Sequence, residues 1–232
     1  MRCEMRDKGK MQLIWKCVII LFICLVDILW GAGFIYKWKQ DGSVLSVRNA
    51  SGNLPGIFAQ NLIVAAVPIA IFLIALFILR GKFVTEMYFK VYGKKQWGAV
   101  CILTVVLAVM TIFCLVTKED KITVLYNLLY YTVFIALTEE FVVRDVCVWF
   151  LREEHKAVRY LVPNVLFAAM HLFSYSGWGN ITVSYVLSFV TSQMLGLVAM
   201  GCLFQFLKEK SGSIWIPVLV HAALDYAVVF GY

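Results

Sequence analysis

Charged residues are scarce in this sequence, and their scarcity excludes an ordinary soluble protein. Only 15% of the 232 residues are charged, 62% are hydrophobic, and the mean hydropathy is +0.84. Soluble domains carry about 25% charged and about 45–50% apolar residues. Because so much apolar surface has no place in water, the composition predicts a protein that is solvated by a lipid bilayer.

Cysteine patterns that mark other classes of protein are also missing. The seven cysteines form no C-x-x-C pair, and most fall inside apolar runs, where cysteine acts as a small hydrophobe. A zinc-finger spacing and a disulfide framework are therefore not expected. The net charge of +7 is spread over short segments between apolar runs. It forms no single basic stripe, which argues against a nucleic-acid partner.

Apolar runs long enough to cross a membrane fill most of the chain, since a span needs roughly 20 such residues. Seven helices are predicted, over Leu13–Tyr36, Ile57–Leu79, Trp97–Thr117, Thr123–Leu151, Tyr160–Tyr175, Ser184–Leu207 and Ile214–Phe230. The stretch Ser174–Leu207 could instead hold two shorter helices. The predicted fold class is all-α, a polytopic membrane helix bundle of about 7–8 transmembrane helices.

The chain divides by content into two regions. Residues 1–122 hold the first three helices with their loops, and residues 123–232 hold the helices that carry the site described below. Most Lys and Arg residues fall in the N-terminal segment and in alternate loops that share its side of the membrane. The positive-inside rule then predicts a cytoplasmic N-terminus.

Ionisable residues inside the apolar runs are the most informative feature, because a charge within a bilayer is costly and usually functional. They are Asp27, Glu139, Glu140, Arg144, Asp145, His171, His221 and Asp225. Most of them lie in the last two-fifths of the chain. Asp27 stands apart in the first helix, and we expect a structural or snorkelling role for it rather than a catalytic one.

The fourth helix carries two adjacent acids whose roles differ by geometry. Glu140 and Arg144 are four residues apart and share a helix face, so they can form an ion pair. Glu139 is rotated by about 100° and is left to point into the bundle, where it could act as a general base. The alternative is a purely structural ion pair with a spare acid beside it.

Two histidines on separate helices are flanked by small residues. His171 follows Ala168 and Ala169, and His221 precedes two alanines and then Asp225. Small residues let neighbouring helices approach closely. Asp225, at i+4 from His221, could fix the imidazole tautomer or share a metal with it. The depths of Glu139, His171 and His221 along their helices are consistent with one shared cavity.

In this order the motifs resemble the CPBP family, which comprises CAAX prenyl proteases and bacteriocin-processing (Abi-type) proteins. The matching elements are E-E-x-x-x-R at Glu139, Glu140 and Arg144, F-x-x-x-H ending at His171, and H-x-x-x-[N/D] from His221 to Asp225. The run from Gly212 to Pro217 resembles the approach to the last motif. The resemblance covers about Thr123 to Tyr232, and the first three helices resemble nothing in particular.

The resemblance implies intramembrane hydrolysis of a peptide bond, in which Glu139 activates water and His171 and His221 complete the site. Asp225 stands where the family often has Asn, and an ionised Asp would repel an oxyanion. It must therefore be protonated, orient His221, or help to hold a metal. Zinc is a possible cofactor, with Glu139, His171 and His221 as candidate ligands and an open water position. A metal-free, glutamate-activated water is the equal alternative.

The resemblance further implies a peptide or lipidated-protein substrate in contact with membrane lipid, approached from the cytoplasmic side. A bacterial cytoplasmic membrane and a setting of bacteriocin maturation or self-immunity are the expected context. Two other functions stay open: a catalytically silent immunity or scaffold protein, and an ion-coupled transporter that uses the same residues as a proton relay. The absence of an internal repeat speaks against the transporter.

Overall fold

The computed structural model describes residues 2–86, 93–176 and 181–231, with side chains over 12–78, 93–173 and 181–231. Within these residues the chain forms seven successive helices and no strand. They are α1 (Arg2–Gln40), α2 (Leu54–Glu86), α3 (Lys94–Thr117), α4 (121–150), α5 (Lys156–Ser176), α6 (Val183–Ser211) and α7 (Trp215–Tyr226), which continues as a 3-10 turn over Ala227–Gly231. A short 3-10 helix, Val47–Gly52, joins α1 to α2. The predicted all-α membrane bundle is confirmed.

The predicted helices are all present, and most of them extend further than their apolar cores. Hydropathy marks only the part of a helix that lies in lipid, so polar end turns such as those of α1 and α2 escape it. The region considered for two short helices is one helix over Val183–Ser211, and residues 177–180 lie outside the described part. Pro163 lies inside α5, two turns from Lys156.

Two helices that line the site contain wider π-helical stretches. In α4 these are Tyr130–Leu137 and Phe141–Cys147, and the short α-helical turn between them, Thr138–Glu140, carries both glutamates. A third stretch, Val190–Met194, lies in α6. Such π segments are frequent at functional sites, since each one shifts the direction in which the following side chains point.

Among the described residues, four helices are long and apolar enough to cross a membrane by length and composition, namely α1, α2, α3 and α6. Their outer faces carry large apolar side chains with high exposure, including Phe77 (71%), Val116 (77%) and Leu195 (73%). In water such a surface would be strongly unfavourable, whereas lipid solvates it. The structure therefore supports an integral membrane protein.

The two largest apolar clusters of the described interior both include α4. One joins α3, α4 and α7 around Cys114, Ala136 and Tyr226, and the other joins α1, α4 and α5 around Ile20 and Cys147. Helix α4 is thus central in the bundle and contacts both the first and the last helices. Ala168 on α5 and Ala222 on α7 are fully buried, as expected where small residues let helices approach closely.

Candidate active site

A cavity of about 700 Å³ lies within the bundle, a size typical of ligand pockets. The described side chains that line it come from both regions of the chain. Its acidic and imidazole groups are Asp27 of α1, Glu139 of α4, His171 of α5, and His221 and Asp225 of α7. The remaining lining is mostly apolar or aromatic.

The two glutamates of α4 lie in different surroundings. The Glu139 side chain is 26% exposed and lines the cavity, whereas Glu140 is fully buried. Glu140 Oε2 lies 3.3 Å from Nε of Arg144, so the two form the ion pair that the i, i+4 spacing suggested. The roughly 100° rotation between adjacent residues separates a carboxyl in the cavity from one in the protein interior.

His221 lies between three carboxyl groups. Its Nδ1 is 3.0 Å from Glu140 Oε1, and its Nε2 is 3.3 Å from Asp225 Oδ2 and 3.7 Å from Glu139 Oε2. Phe204 stacks on the ring with 4.8 Å between centroids. The expected division of roles therefore needs a correction: Glu140 contacts both Arg144 and His221. Buried Glu140 holds one edge of the imidazole, and the opposite edge faces the cavity.

His171 lines the same cavity from α5. Its Nδ1 is 3.0 Å from the carbonyl oxygen of Phe167, and the Phe167 ring meets the imidazole edge to face at 4.6 Å. Because a carbonyl oxygen can only accept, Nδ1 carries the proton, and in the neutral ring Nε2 carries the lone pair. The backbone of α5 thus fixes the orientation of this second imidazole.

Asp27 lines the cavity, which its place in the first helix did not predict. It was expected to be structural or to snorkel, and it lies beside Glu139, close enough for the two carboxyl charges to interact. It lies thirteen residues before the end of α1 at Gln40, which is about 20 Å of helix and too far for its short side chain to reach the interface. Its position within an apolar run was the available signal.

Beneath the cavity lies a buried ionic layer made of Glu140, Arg144, Asp145 and Lys208. Two acids and two bases make the set neutral, as a buried set must be to avoid a large desolvation cost. The Lys208 ammonium contacts the Asp145 carboxylate and donates to the carbonyl of Arg144 at 2.6 Å. The sequence had assigned Lys208 to a loop, although it is a buried part of α6. No pattern of spacing links it to Asp145, because the two lie on different helices.

Arg144 is held by aromatic rings as well as by Glu140. Its guanidinium carbon lies 4.9 Å from the centroid of Phe167 and 5.6 Å from that of Phe204. These rings also contact His171 and His221, so the ionic layer and the two imidazoles share one aromatic support. Cation–π contacts of this kind strengthen when they are desolvated.

The cavity extends from mid-depth towards one face of the bundle only. On α1 its lining runs from Cys24 to Lys39, and the next segment contributes Val47 and Arg48, whereas the opposite halves of α1 and α2 contribute none of the described lining residues. We call the end at Lys39 and Arg48 the mouth. It lies on the side opposite to the beginning of α1, whereas the sequence predicted access from the same side as the N-terminus.

The donors proposed for zinc do not form a metal centre in the described part of the chain. The Nδ1 atoms of His171 and His221 are held by a backbone carbonyl and by Glu140, so a metal could be reached only through Nε2, and Nε2 of His221 contacts the carboxyl of Asp225. No three His, Cys, Asp or Glu side chains converge on one point there. As the side chains stand, the residues do not fit a zinc ion, and we derive no step through one.

A helical membrane bundle with a carboxyl–imidazole site facing an internal cavity is the class that fold and site define. Residues 121–227, a little under half of the chain, match the family model described as type II CAAX prenyl endopeptidase Rce1-like. The match confirms the resemblance to CAAX prenyl proteases over α4 to α7. No curated protein and no solved structure matches the chain. The region from α4 to α7 is therefore similar to a family of endopeptidases.

Proposed function

We propose that the protein is an intramembrane endopeptidase that cleaves a membrane-associated peptide, lipidated or of the leader or bacteriocin type, with water activated by Glu139. The observation that carries the proposal is the contrast between the two glutamates. Glu139 faces the cavity, 3.7 Å from His221 Nε2, while Glu140 is withdrawn into the ionic layer. A general base must reach a water molecule beside the substrate, and only the cavity-facing carboxylate of this pair can do so.

In the proposed reaction, Glu139 takes a proton from a water molecule in the cavity. The water oxygen bonds to the carbonyl carbon of the substrate, and the carbonyl oxygen gains the negative charge. When this intermediate collapses, the C–N bond breaks and the proton held by Glu139 moves to the nitrogen. The products are a carboxylic acid and an amine, so one acid serves both steps.

The imidazoles of His171 and His221 support the developing oxyanion. Both line the cavity, and when Nε2 is protonated each can donate to the oxygen; in His221 that N–H turns from Asp225, 3.3 Å away, to the oxyanion. Asp225 acts by orienting His221, which is one of the three possibilities that the sequence left open. The 3.3 Å contact between Asp225 Oδ2 and His221 Nε2 favours this role.

The decisive experiment compares Glu139→Gln with Glu140→Gln, both purified into proteoliposomes and assayed with candidate lipidated or leader peptides. We expect Glu139→Gln to abolish cleavage, by at least about 10³-fold, because it removes the base, while the protein still inserts and folds. Glu140→Gln should mainly lower thermal stability. Full cleavage by both variants would refute the proposal.

The same preparation tests the metal question. A glutamate-activated water requires no metal, so we expect cleavage to survive prolonged treatment with a strong chelator, and metal analysis to find less than one equivalent of zinc. Loss of activity on chelation, with recovery when zinc is added back, would show instead that a metal takes part.

A catalytically silent immunity or scaffold protein is the second candidate. The neutral ionic layer favours this candidate, because its four charged residues can hold the helices together without any catalytic role. They are Glu140, Arg144, Asp145 and Lys208. A silent protein would keep its biological effect, such as protection of a producing cell, in the Glu139→Gln variant. The protease would lose it.

A further inference from the structure

The cavity differs in charge between its two ends. Its acids, Asp27, Glu139 and Asp225, cluster at mid-depth, and the described lining residues at the mouth include two cations, Lys39 and Arg48, and no acid. Between them the lining is apolar and aromatic. A cavity with a reactive acid at one end and cations at the other is suited to a substrate that carries an anion at a fixed distance from the reacting bond.

The segment that carries Arg48 is firmly attached to the bundle. Ser46 caps the 3-10 helix by accepting from the Arg48 N–H at 3.2 Å, and the carbonyl of Val47 accepts from the amide of Asn127 on α4 at 3.0 Å. Ser51 donates to the carboxylate of Asp120 at 2.5 Å. A segment held at several points presents its side chains in a defined place and loses little entropy on binding.

The distance along α1 limits the length of substrate between the two ends. Asp27, at the level of the acids, and Lys39, at the mouth, are twelve residues apart, which is about 18 Å at 1.5 Å per residue. An extended peptide covers at most about 3.3–3.6 Å per residue. About five residues therefore fit between the reacting bond and the mouth, and fewer if the flexible Lys39 side chain reaches inward.

We propose that Lys39 and Arg48 form a subsite for a carboxylate of the peptide substrate, no more than about five residues from the bond that is cleaved. This inference rests on the proposed protease function and names the group that the enzyme reads. Arg binds carboxylates through its two-pronged guanidinium, and Lys adds a mobile point charge. The carboxylate is either the free C-terminus of the peptide or an Asp or Glu side chain within it.

The neighbouring lysine of α1 provides a matched control. Lys37 and Lys39 both lie in the last turn of α1, where cations are favourable next to the helix C-terminus. Only Lys39 lines the cavity. Loss of either lysine changes the surface charge and the interaction with the helix dipole equally, so a difference between Lys37→Ala and Lys39→Ala isolates the subsite.

The test measures binding in the Glu139→Gln background, so that no cleavage interferes. The protein is placed in phosphatidylcholine vesicles, which carry no net lipid charge. The probes are fluorescent S-prenylated peptides with a cysteine, two aliphatic residues and one variable residue at the end, made with a free or an amidated C-terminus. A third probe has the amidated end and a Glu as the variable residue. Dissociation constants are compared for the Glu139→Gln background alone and with Lys37→Ala, Lys39→Ala, or Lys39→Ala plus Arg48→Ala.

We expect the double substitution to weaken binding of a carboxylate-bearing probe by about tenfold or more, and to leave the amidated probe, already weak, unchanged. Lys37→Ala should change neither. If the double substitution weakens binding of the free C-terminal probe alone, the subsite recognises the C-terminal carboxylate. If it weakens binding of the Glu probe, the subsite recognises an acidic side chain within the peptide. The proposal fails if no probe shows carboxylate-dependent binding, if Lys37→Ala causes the same loss, or if the effect arises only when anionic lipid is added.

The same variants separate this inference from the proposed function. If carboxylate-dependent binding is present but the unsubstituted protein cleaves no peptide, the subsite stands and the protease proposal fails. If cleavage depends on Glu139 but peptides with and without the carboxylate bind equally, the protease stands and the subsite is refuted.

Discussion

The cavity and the ionic layer beneath it are built from the same helices, yet they hold their charges differently. In the layer, Glu140, Arg144, Asp145 and Lys208 are almost fully buried and offset one another as two acids and two bases. In the cavity, the carboxyls of Glu139 and Asp225 are 26% and 34% exposed, and Asp27 adds a third acid. In the layer the charges pair with one another and hold the helices together, whereas in the cavity the carboxyls stay accessible.

This difference follows from one residue step along α4. Because adjacent helical residues differ by about 100°, Glu139 and Glu140 point to opposite sides of the boundary. His221 spans it, with Nδ1 on the buried Glu140 and Nε2 towards the cavity. The comparison therefore predicts that substitutions in the layer change stability first, and that substitutions in the cavity change activity first.

The largest effect on stability is expected when one member of the layer is removed. Arg144→Met should lower the free energy of unfolding by about 3–5 kcal/mol, because buried Glu140 loses its arginine partner and keeps only the contact with His221. Reversible unfolding in mixed micelles titrated with sodium dodecyl sulfate measures this. Arg152→Met is the control, since Arg152 is 34% exposed and its pair with Glu153 lies at the surface; it should cost less than about 1 kcal/mol. Similar losses for the two arginines would contradict the layer's structural role.

A smaller loss is expected where α6 passes closest to the layer. A Cβ on Gly201 would lie 2.2 Å from Asn164 Oδ1 and 2.9 Å from Arg144 Nη2, while one on Gly196 of the same helix would meet nothing within 4 Å. Gly201→Ala should therefore destabilise the protein by about 1–3 kcal/mol through overpacking. Gly196→Ala should be neutral or slightly stabilising. Equal thermal stability of the two variants would show that the layer can expand at little cost.

Much of this arrangement could be predicted from the sequence, because its signals are local. Composition gave the membrane class, apolar runs gave seven helices, and the i, i+4 spacing gave the pair of Glu140 with Arg144. The contacts that cross between helices could not be predicted in this way. They depend on how α1, α6 and α7 pack against α4, and residue spacing along the chain does not indicate that packing. The examples are the contact of Glu140 with His221, the pairing of Asp145 with Lys208, and the place of Asp27 in the cavity.

On the cavity side, Asp225 should affect activity more than stability. If it positions His221, Asp225→Asn keeps a polar partner 3.3 Å from Nε2, and kcat should fall by less than about tenfold with KM unchanged. Asp225→Leu removes the partner and should lower kcat by about a hundredfold. Proteoliposome cleavage assays over a range of peptide concentrations separate the two constants. If Asn is as damaging as Leu, the charge of Asp225 matters rather than its contact with the imidazole.

The smallest effect is expected outside both regions, at a partly buried acid at the start of α4. The Asp120 carboxyl accepts hydrogen bonds from the Ser51 and Thr123 side chains and from the Thr123 N–H. These bonds hold the pKa of Asp120 below its ordinary value. A lowered folded-state pKa stabilises the protein above the ordinary value of 3.8, and this contribution is lost as the pH falls through the folded-state pKa. Asp120→Ala also removes a helix cap, so it should cost about 1 kcal/mol at pH 7. The control is Asp41→Ala, which removes an exposed acid in the neighbouring loop. Relative to this control, the loss of stability caused by Asp120→Ala should shrink below about pH 4. If the stability deficit of Asp120→Ala stays constant down to pH 3, the Asp120 side chain acts without its charge. The start of α4 would then be held by hydrogen-bond geometry alone, whereas the ionic layer depends on paired charges.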